Sequence, residues 1–435
     1  VGKVKKSKKN KKSRALCLIL GFIALAACTQ RQMEEGIKNV VEEDECLTVW
    51  AWDESFNIAA ANLAKQFYLQ ENPGVKVEVV TVAQDDVVAK LDYGFVSGSY
   101  EELPDIVLIE DYRIQGYLRT YLGEFADLSD IARAEDFASY KTGVNQVDGR
   151  MYGIPFDNGV AGLFYRTDYL EEAGYTQEDM RNLTWDEYIE IGKAVKRKTG
   201  KYMLTLNPGD LGQLRMMLQS AGAWYTDAEG DLDIWDNQAL LAAISTYGRI
   251  VDAGIAKQIA DWDQFVGAFN SGEVATVPTG CWVSPSIENA VDQKGKWAVA
   301  EIPRMAEVEQ SVNASSLGGA GWYVLKNAGH EKEAKKFLEA TFASNVLLMD
   351  QLVEEIQLVS TLKASASAGN YSKGVEFYGG QEIFKDFAAW AEKVPVINYG
   401  EDTYAVEDKM CEALQKVLEG VDMDAVLQST FSKEK

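Results

Sequence analysis

Three short stretches place rings, carboxylates, an amide and a guanidinium just past apolar runs. Leu47-Thr-Val-Trp-Ala-Trp52 leads into Asp53 and Glu54, and Asp105-Ile-Val-Leu-Ile109 into Glu110, Asp111, Tyr112 and Arg113. Tyr152-Gly-Ile-Pro-Phe156 leads into Asp157 and Asn158. If the runs are strands of an open α/β sheet, ligands bind beyond their carboxyl ends. Trp50, Trp52 and the residues after each run are then the candidates. A sugar offers apolar C–H faces to flat rings, and hydroxyls to carboxylates, amides and Arg. The mixture at these tips has that chemistry. Structural roles compete with it: Trp50 alternates with core positions, Asp53 can cap a helix, and Asp157 and Asn158 can turn the chain before Gly159.

Other chemistries find less support. The 67 acidic residues would always yield a carboxylate pair by eye, so a surface glycoside hydrolase stays open as an alternative without being favoured. His330 is the one histidine, which excludes a multi-histidine metal site and argues against a triad hydrolase. It sits in the polar NAGHEKEA stretch, where it is expected to be solvated or near a helix start. Cys46, Cys281 and Cys411 show no CxxC spacing and read as small buried side chains, although one disulfide is permitted. No EF-hand spacing or Walker A motif occurs, and no cofactor or metal is expected. Arg113 is the only evident cation at the tips, which disfavours phosphate but leaves a polyamine or other small polar solute as an alternative ligand.

The elements that would hold these tips follow from periodicity. Residues 47–52 alternate, with Leu47, Val49 and Ala51 on one side. A helix carrying Phe56, Ala60, Leu63 and Phe67 follows, stopped by Pro73-Gly74. A strand at 75–80, a helix at 85–96 and the apolar strand at 105–109 complete a unit that predicts a largely parallel sheet covered by helices. A second such unit starts at 152–156 and 162–165. Thr184-Trp-Asp-Glu187 forms a capping box for a helix ending near Gly200, with Trp185 read as packing. Further helices are expected near 210–221, 237–253, 334–348 and 406–418, the last closed by Gly420.

The amino terminus reads differently. Residues 3–14 carry eight basic side chains and no acidic one, and residues 15–27 carry no charge. At about 1.5 Å per residue the apolar run reaches roughly 20 Å, short for a membrane span and typical of a secretory leader. It ends in Leu25-Ala26-Ala27-Cys28, which resembles a bacterial lipobox. That resemblance implies lipidation of Cys28, a signal peptide at 1–27, a lipidated tether at 28–45 and a place on the extracytoplasmic face of the membrane. Without the leader, 35 basic residues face 67 acidic ones, a formal balance of −32 that argues against nucleic acid.

After residue 46 the chain carries, in order, Asn72-Pro-Gly-Val-Lys-Val77, Leu103-Pro-Asp-Ile-Val107 and Asp148-Gly-Arg-Met-Tyr-Gly-Ile-Pro155 with Leu163-Phe-Tyr-Arg-Thr-Asp168. Phe269-Asn-Ser-Gly-Glu-Val-Ala275 with Gly280-Cys-Trp282 follows, and then Gly318-Gly-Ala-Gly-Trp322 with Lys332-Glu-Ala-Lys-Lys-Phe337. Taken in this order, the segments resemble the extracellular solute-binding proteins of the family that includes maltose-binding protein. The resemblance implies a two-lobe α/β fold with a ligand cleft and several chain crossings, expected near Phe156, Trp282 and Trp322. One lobe would comprise 47–155 and 283–322, the other 156–282 and 323–435. It further implies a monomeric binding subunit, not an enzyme, that closes on a carbohydrate and delivers it to a permease driven by a separate ATPase. The family's pocket maps onto Glu110 to Arg113, Asp157, Asn158 and Trp282, with Trp224, Trp262, Trp322 and Tyr399 as weaker candidates. Asp261-Trp262-Asp263 reads as a solvated turn rather than a lip contact.

Overall fold

The computed structural model describes residues 1–2 and 46–431. The leader, the Cys28 lipidation site and the tether up to residue 45 lie outside the described residues. The folded body runs from Leu47 onward.

The first half builds one sheet. Strands β1 (Cys46–Ala51), β2 (Lys76–Thr81) and β3 (Ile106–Glu110) alternate with helices Asn57–Glu71 and Gln84–Ser97. The alternation in β1 holds: Leu47, Val49 and Ala51 are buried, while Trp50 is half-buried on the other face. β3 is buried from Ile106 to Ile109 because helices cover both of its faces. A small hairpin, β4 (Gln146–Val147) with β5 (Arg150–Met151), precedes β6 (Gly153–Pro155).

The chain then leaves for a second body. β7 (Ala161–Arg166) is the central strand of another sheet, and β8 (Leu204–Leu206) pairs in parallel with β9 (Ala256–Gln258) beside it. β10 (Thr276–Gly280) and β11 (Trp297–Glu301) flank β7, both antiparallel. β12 (Ala320–Val324) returns to the first sheet, whose order is β2-β1-β3-β12-β6. β1 and β3 are parallel, but β12 runs antiparallel to both β3 and β6. The expectation of two largely parallel units therefore fails for the second sheet and is mixed for the first. Strands contributed by distant segments arrive after chain crossings, so local alternation does not fix their direction.

These pairings redraw the expected lobe boundaries. Trp282 lies between β10 and β11, both in the second sheet, so the chain does not cross there. The crossings fall between β6 and β7, between β11 and β12, and after helix Val346–Ile356. Segment 283–322 is thus divided, β11 belonging to the second sheet and β12 to the first. Phe337, Leu338, Leu348 and Leu352 share a core with Leu47 and Val49, so 331–356 joins the first lobe. Helix Ile383–Ala391 buries Phe384 and Phe387 in the core of the second.

The helix expected over 334–348 is two, Glu331–Ala340 and Val346–Ile356. Asn345 separates them, its side chain accepting from the Leu348 amide at 3.0 Å as an N-cap. The Thr184 capping box forms as read, and Gly200 closes its helix in the left-handed conformation at φ 73°. His330 precedes helix Glu331–Ala340 but is half-buried, its Nδ1 3.0 Å from Asp105 Oδ1. Cys46, Cys281 and Cys411 are all free, with Cys281 buried and the other two partly so. Among the described residues no helix is long and apolar enough to cross a membrane.

Candidate functional site

The strand ends and the crossings converge on a cavity of about 640 Å³. The first lobe contributes Trp52 and Asp53 after β1, and Glu110 at the end of β3. The crossings contribute Phe156, Asp157, Gly319 and Ala320. Trp262, Trp282 and Ser286 come from the second lobe, and Glu354, Glu355 and Gln357 from the end of helix Val346–Ile356. A second chamber of about 300 Å³ shares Glu110, Trp262 and Trp282 with the first and runs on toward Asn207, Asp210 and Tyr404.

Local chemistry fixes each wall. Asp53 Oδ1 accepts from the Ser55 and Phe56 amides at 2.8 and 3.1 Å, and Asn57 Oδ1 accepts from the Trp52 and Asp53 amides at 3.1 and 2.9 Å. This knot of side-chain-to-backbone bonds sets the turn that carries Trp52. Glu110 is held from two sides, by Arg113 Nε and the Tyr404 hydroxyl, each at 3.0 Å. Trp282 donates its indole N–H to Leu317 O at 2.9 Å. Its ring centroid lies 5.9 Å from that of Trp262 with the planes 38° apart, and Trp262 is 52% exposed. Two aromatic surfaces are thus offered where both chambers meet.

The floor is the crossing from β11 to β12, and its backbone is clamped almost atom by atom. The Gly318 amide donates to the Tyr112 hydroxyl (3.0 Å) and the Asp111 amide to Gly319 O (3.1 Å). The Ala320 amide donates to Asp157 Oδ1 (2.8 Å), while Ala320 O receives Lys141 Nζ (3.2 Å) and the Phe156 amide (3.0 Å). Gly318 and Gly319 have φ of 78° and 104°, and a β-carbon on Gly319 would sit 2.7 Å from both Asp111 Oδ2 and Lys141 Nζ. Glycine is required there by conformation and by space. Beneath it lies an ion pair between Lys141 and Asp111, both essentially inaccessible. Burial outweighs the Lys141 ammonium and pushes Asp111 up to about 6. Asp157 is raised too, by burial first, with Lys141 and the Ala320 amide opposing.

Of the residues singled out in the sequence, Trp52, Asp53, Glu110, Asp157 and Trp282 line the main cavity, and Tyr112 lines the second chamber. Asp111 lies buried beneath Gly319. Arg113 turns to Glu110 and to the Tyr404 ring, 4.2 Å from its centroid, because a buried-edge carboxylate needs a counter-charge. Glu54 is exposed and lines neither chamber. Trp50 faces helix Gln84–Ser97, with Lys90 Nζ 5.9 Å from its ring centroid, since it lies within β1, short of the strand end that Trp52 follows. Asn158 is buried and bonds Ser360 O at 2.9 Å, a structural brace.

The remaining aromatics went to the core. Trp224 stacks on Tyr112 (5.5 Å, 16°) and donates to Thr403 Oγ1, while Tyr399 donates to Gln219. Trp322 is fully buried in β12 between Phe156 and Phe342. Conversely, Trp262 is at the cavity, against the reading of a solvated turn. Asp261 does cap helix Trp262–Asn270, accepting from the Gln264 amide at 2.8 Å, and the cap is what leaves Trp262 at the lip. Glu354, Glu355 and Gln357 were missed because only the third crossing brings the end of their helix to the site.

The model of the family described as bacterial extracellular solute-binding protein matches residues 62–378. The chain is 41% identical to the lactose-binding protein of Rhizobium radiobacter over 383 residues, covering 88% of this chain and 90% of that one. It is 27% identical to the arabinooligosaccharide-binding protein of Bacillus subtilis over 310 residues, covering 67% and 68%. Among solved structures, the galacto-N-biose-/lacto-N-biose I-binding protein of an ABC transporter from Bifidobacterium longum superposes with a TM-score of 0.70 at 23% identity, over 90% of this chain and 96% of that one.

Proposed function

This chain belongs to the bacterial extracellular solute-binding proteins, and we propose that its cleft captures a carbohydrate and hands it to a membrane permease powered by a separate ATPase. The observation that carries the reading is the paired Trp262 and Trp282 rings facing Asp53, Glu110, Asp157 and Gln357 across one cavity. Rings take the C–H faces of a sugar and the carboxylates accept hydrogen bonds from its hydroxyls. The similarity to lactose- and arabinooligosaccharide-binding proteins supports the same class of ligand. Two adjoining chambers suit an oligosaccharide better than a single ring. Capture proceeds by lobe closure, driven by contacts that the ligand makes better in the closed state. The chain acts as a binding subunit without catalysis, anchored by lipid at Cys28 to the extracytoplasmic face of the membrane.

Thermal unfolding of the purified chain against galactosides, arabino- and malto-oligosaccharides and polyamines tests this. A ligand at about 100 times its Kd adds roughly 2.7 kcal/mol to the native state. One glycan series is expected to raise the melting temperature and to be recovered intact. A shift with polyamines alone would discard the sugar, and cleaved glycan would bring the hydrolase forward.

A further inference from the structure

We propose that the cleft sorts sugars by charge, admitting neutral and amino-bearing glycans and rejecting those that carry carboxylate, sulfate or phosphate. This rests on the carbohydrate reading and narrows it. Every charged side chain among the described residues lining the main chamber is an acid: Asp53, Glu110, Asp157, Glu354 and Glu355. The cations nearby are committed elsewhere. Arg113 is spent on Glu110, Lys373 reaches Glu354 at 3.0 Å, and Lys141 lies below the floor with Asp111. Asp53 is held by uncharged donors, Ser55 and the Phe56 amide, and Glu355 by the Gln351 amide group. The second chamber does contain Arg215, but its Nε and Nη2 are both engaged by Glu407, and Asp210 and Asp261 share the wall.

Hydrogen bonding leans the same way. Carboxylates and amide oxygens accept hydrogen bonds; hydroxyls and ammonium groups can supply them, and an ionised acid cannot. An anionic ligand would meet like charge in a partly dry cleft, where screening is weak, while leaving acceptors unsatisfied. The excess of acid over base in the whole chain repels it before contact as well.

The test is titration calorimetry of the full chain with three probes of one scaffold, lactose, lactose 3′-sulfate and lactosamine with a free amine. These are run in about 20 mM and about 0.5 M salt, on the wild type and on Glu355→Lys. The sulfate is expected to bind at least tenfold more weakly than lactose at low salt, with the gap narrowing at high salt and in Glu355→Lys. Lactosamine is expected to bind at least as tightly as lactose. The salt response and the variant separate charge from the bulk of the sulfate, since bulk alone would leave the gap unchanged. Sulfated lactose binding as tightly as lactose, or a gap that ignores both salt and the variant, overturns the charge filter and leaves the carbohydrate reading standing. If maltotriose or arabinotriose binds where lactose does not, the same comparison is made with its 6-sulfate or 5-sulfate. Failure of every neutral glycan would sink the carbohydrate reading and this inference with it.

Discussion

Lys141 has no access to solvent, and one of its two neighbouring carboxylates, Asp111, is just as deeply buried. The native pKa of Asp111, about 6, lies above its ordinary value of 3.8, so between those values the folded chain holds more protons on this group than the unfolded chain. Stability contributed by this residue therefore falls as pH rises through that window and stays low above it. Lys141 is what keeps the penalty modest. Lys141→Met should lose about 3–5 kcal/mol at pH 8, the cost of stranding a buried charge. At pH 5, where Asp111 can take up a proton, the loss should be clearly smaller. Urea unfolding at the two pH values checks this, and equal losses would show that the pair is not electrostatically coupled. Nothing in the sequence around Lys141 marks it, because its partner lies thirty positions away and meets it only through the packing of helix Ser139–Asn145 against the end of β3. The tips themselves were legible because they follow strands: Trp52, Asp53, Glu110 and Asp157 are at the cavity for that reason. Trp224, Trp322 and Tyr399 were not, since an aromatic near a loop looks the same whether it turns outward or into a core.

The elements from β1 to β3 were legible almost to the residue, because they alternate regularly and end on Gly, Pro or a cap, whereas helices Asp111–Tyr121 and Ser139–Asn145 and the β4–β5 hairpin were not read. Segment 317–319 is the opposite case: it has no regular structure, and its role is fixed by partners from the residues just after β3, from helix Ser139–Asn145 and from the β6–β7 crossing. Gly319→Ala should expose that role. Its β-carbon would meet Asp111 and Lys141 at 2.7 Å and its φ is 104°. Gly98→Ala provides the comparison, because Gly98 has φ 70° but open space around it. Both changes carry the backbone penalty of about 1 kcal/mol for a left-handed residue. Only Gly319→Ala should lose substantially more stability and weaken ligand capture, read by denaturant melts and by titration. Equal effects at the two sites would mean that the clamp under Gly319 gives way easily.

At the scale of the molecule, three crossings join two sheets whose strands interleave in sequence, and the cavity lies where the crossings pass. The family resemblance reached the two lobes from short motifs, yet it placed a crossing at Trp282, where the chain stays within the second sheet, and none after helix Val346–Ile356. Motif order carries the fold, but which sheet a strand joins depends on partners far along the chain. Walls drawn from both lobes imply that ligand draws them together, so the radius of gyration by small-angle scattering should fall on adding saturating glycan. The fall should follow the same binding curve as the thermal shift. An unchanged radius would point to a cleft that is already closed in the free protein.

Whether a glycan is held against the Trp262 and Trp282 rings is read from calorimetric titration of the wild type and Trp282→Ala with the glycan that shifts the melting curve. The wild type should bind one glycan per chain, and the variant should stay folded with affinity reduced at least thirtyfold, in line with the loss of about 2 kcal/mol or more expected at a central aromatic contact. Undiminished affinity in a folded Trp282→Ala protein would place the ligand away from these rings.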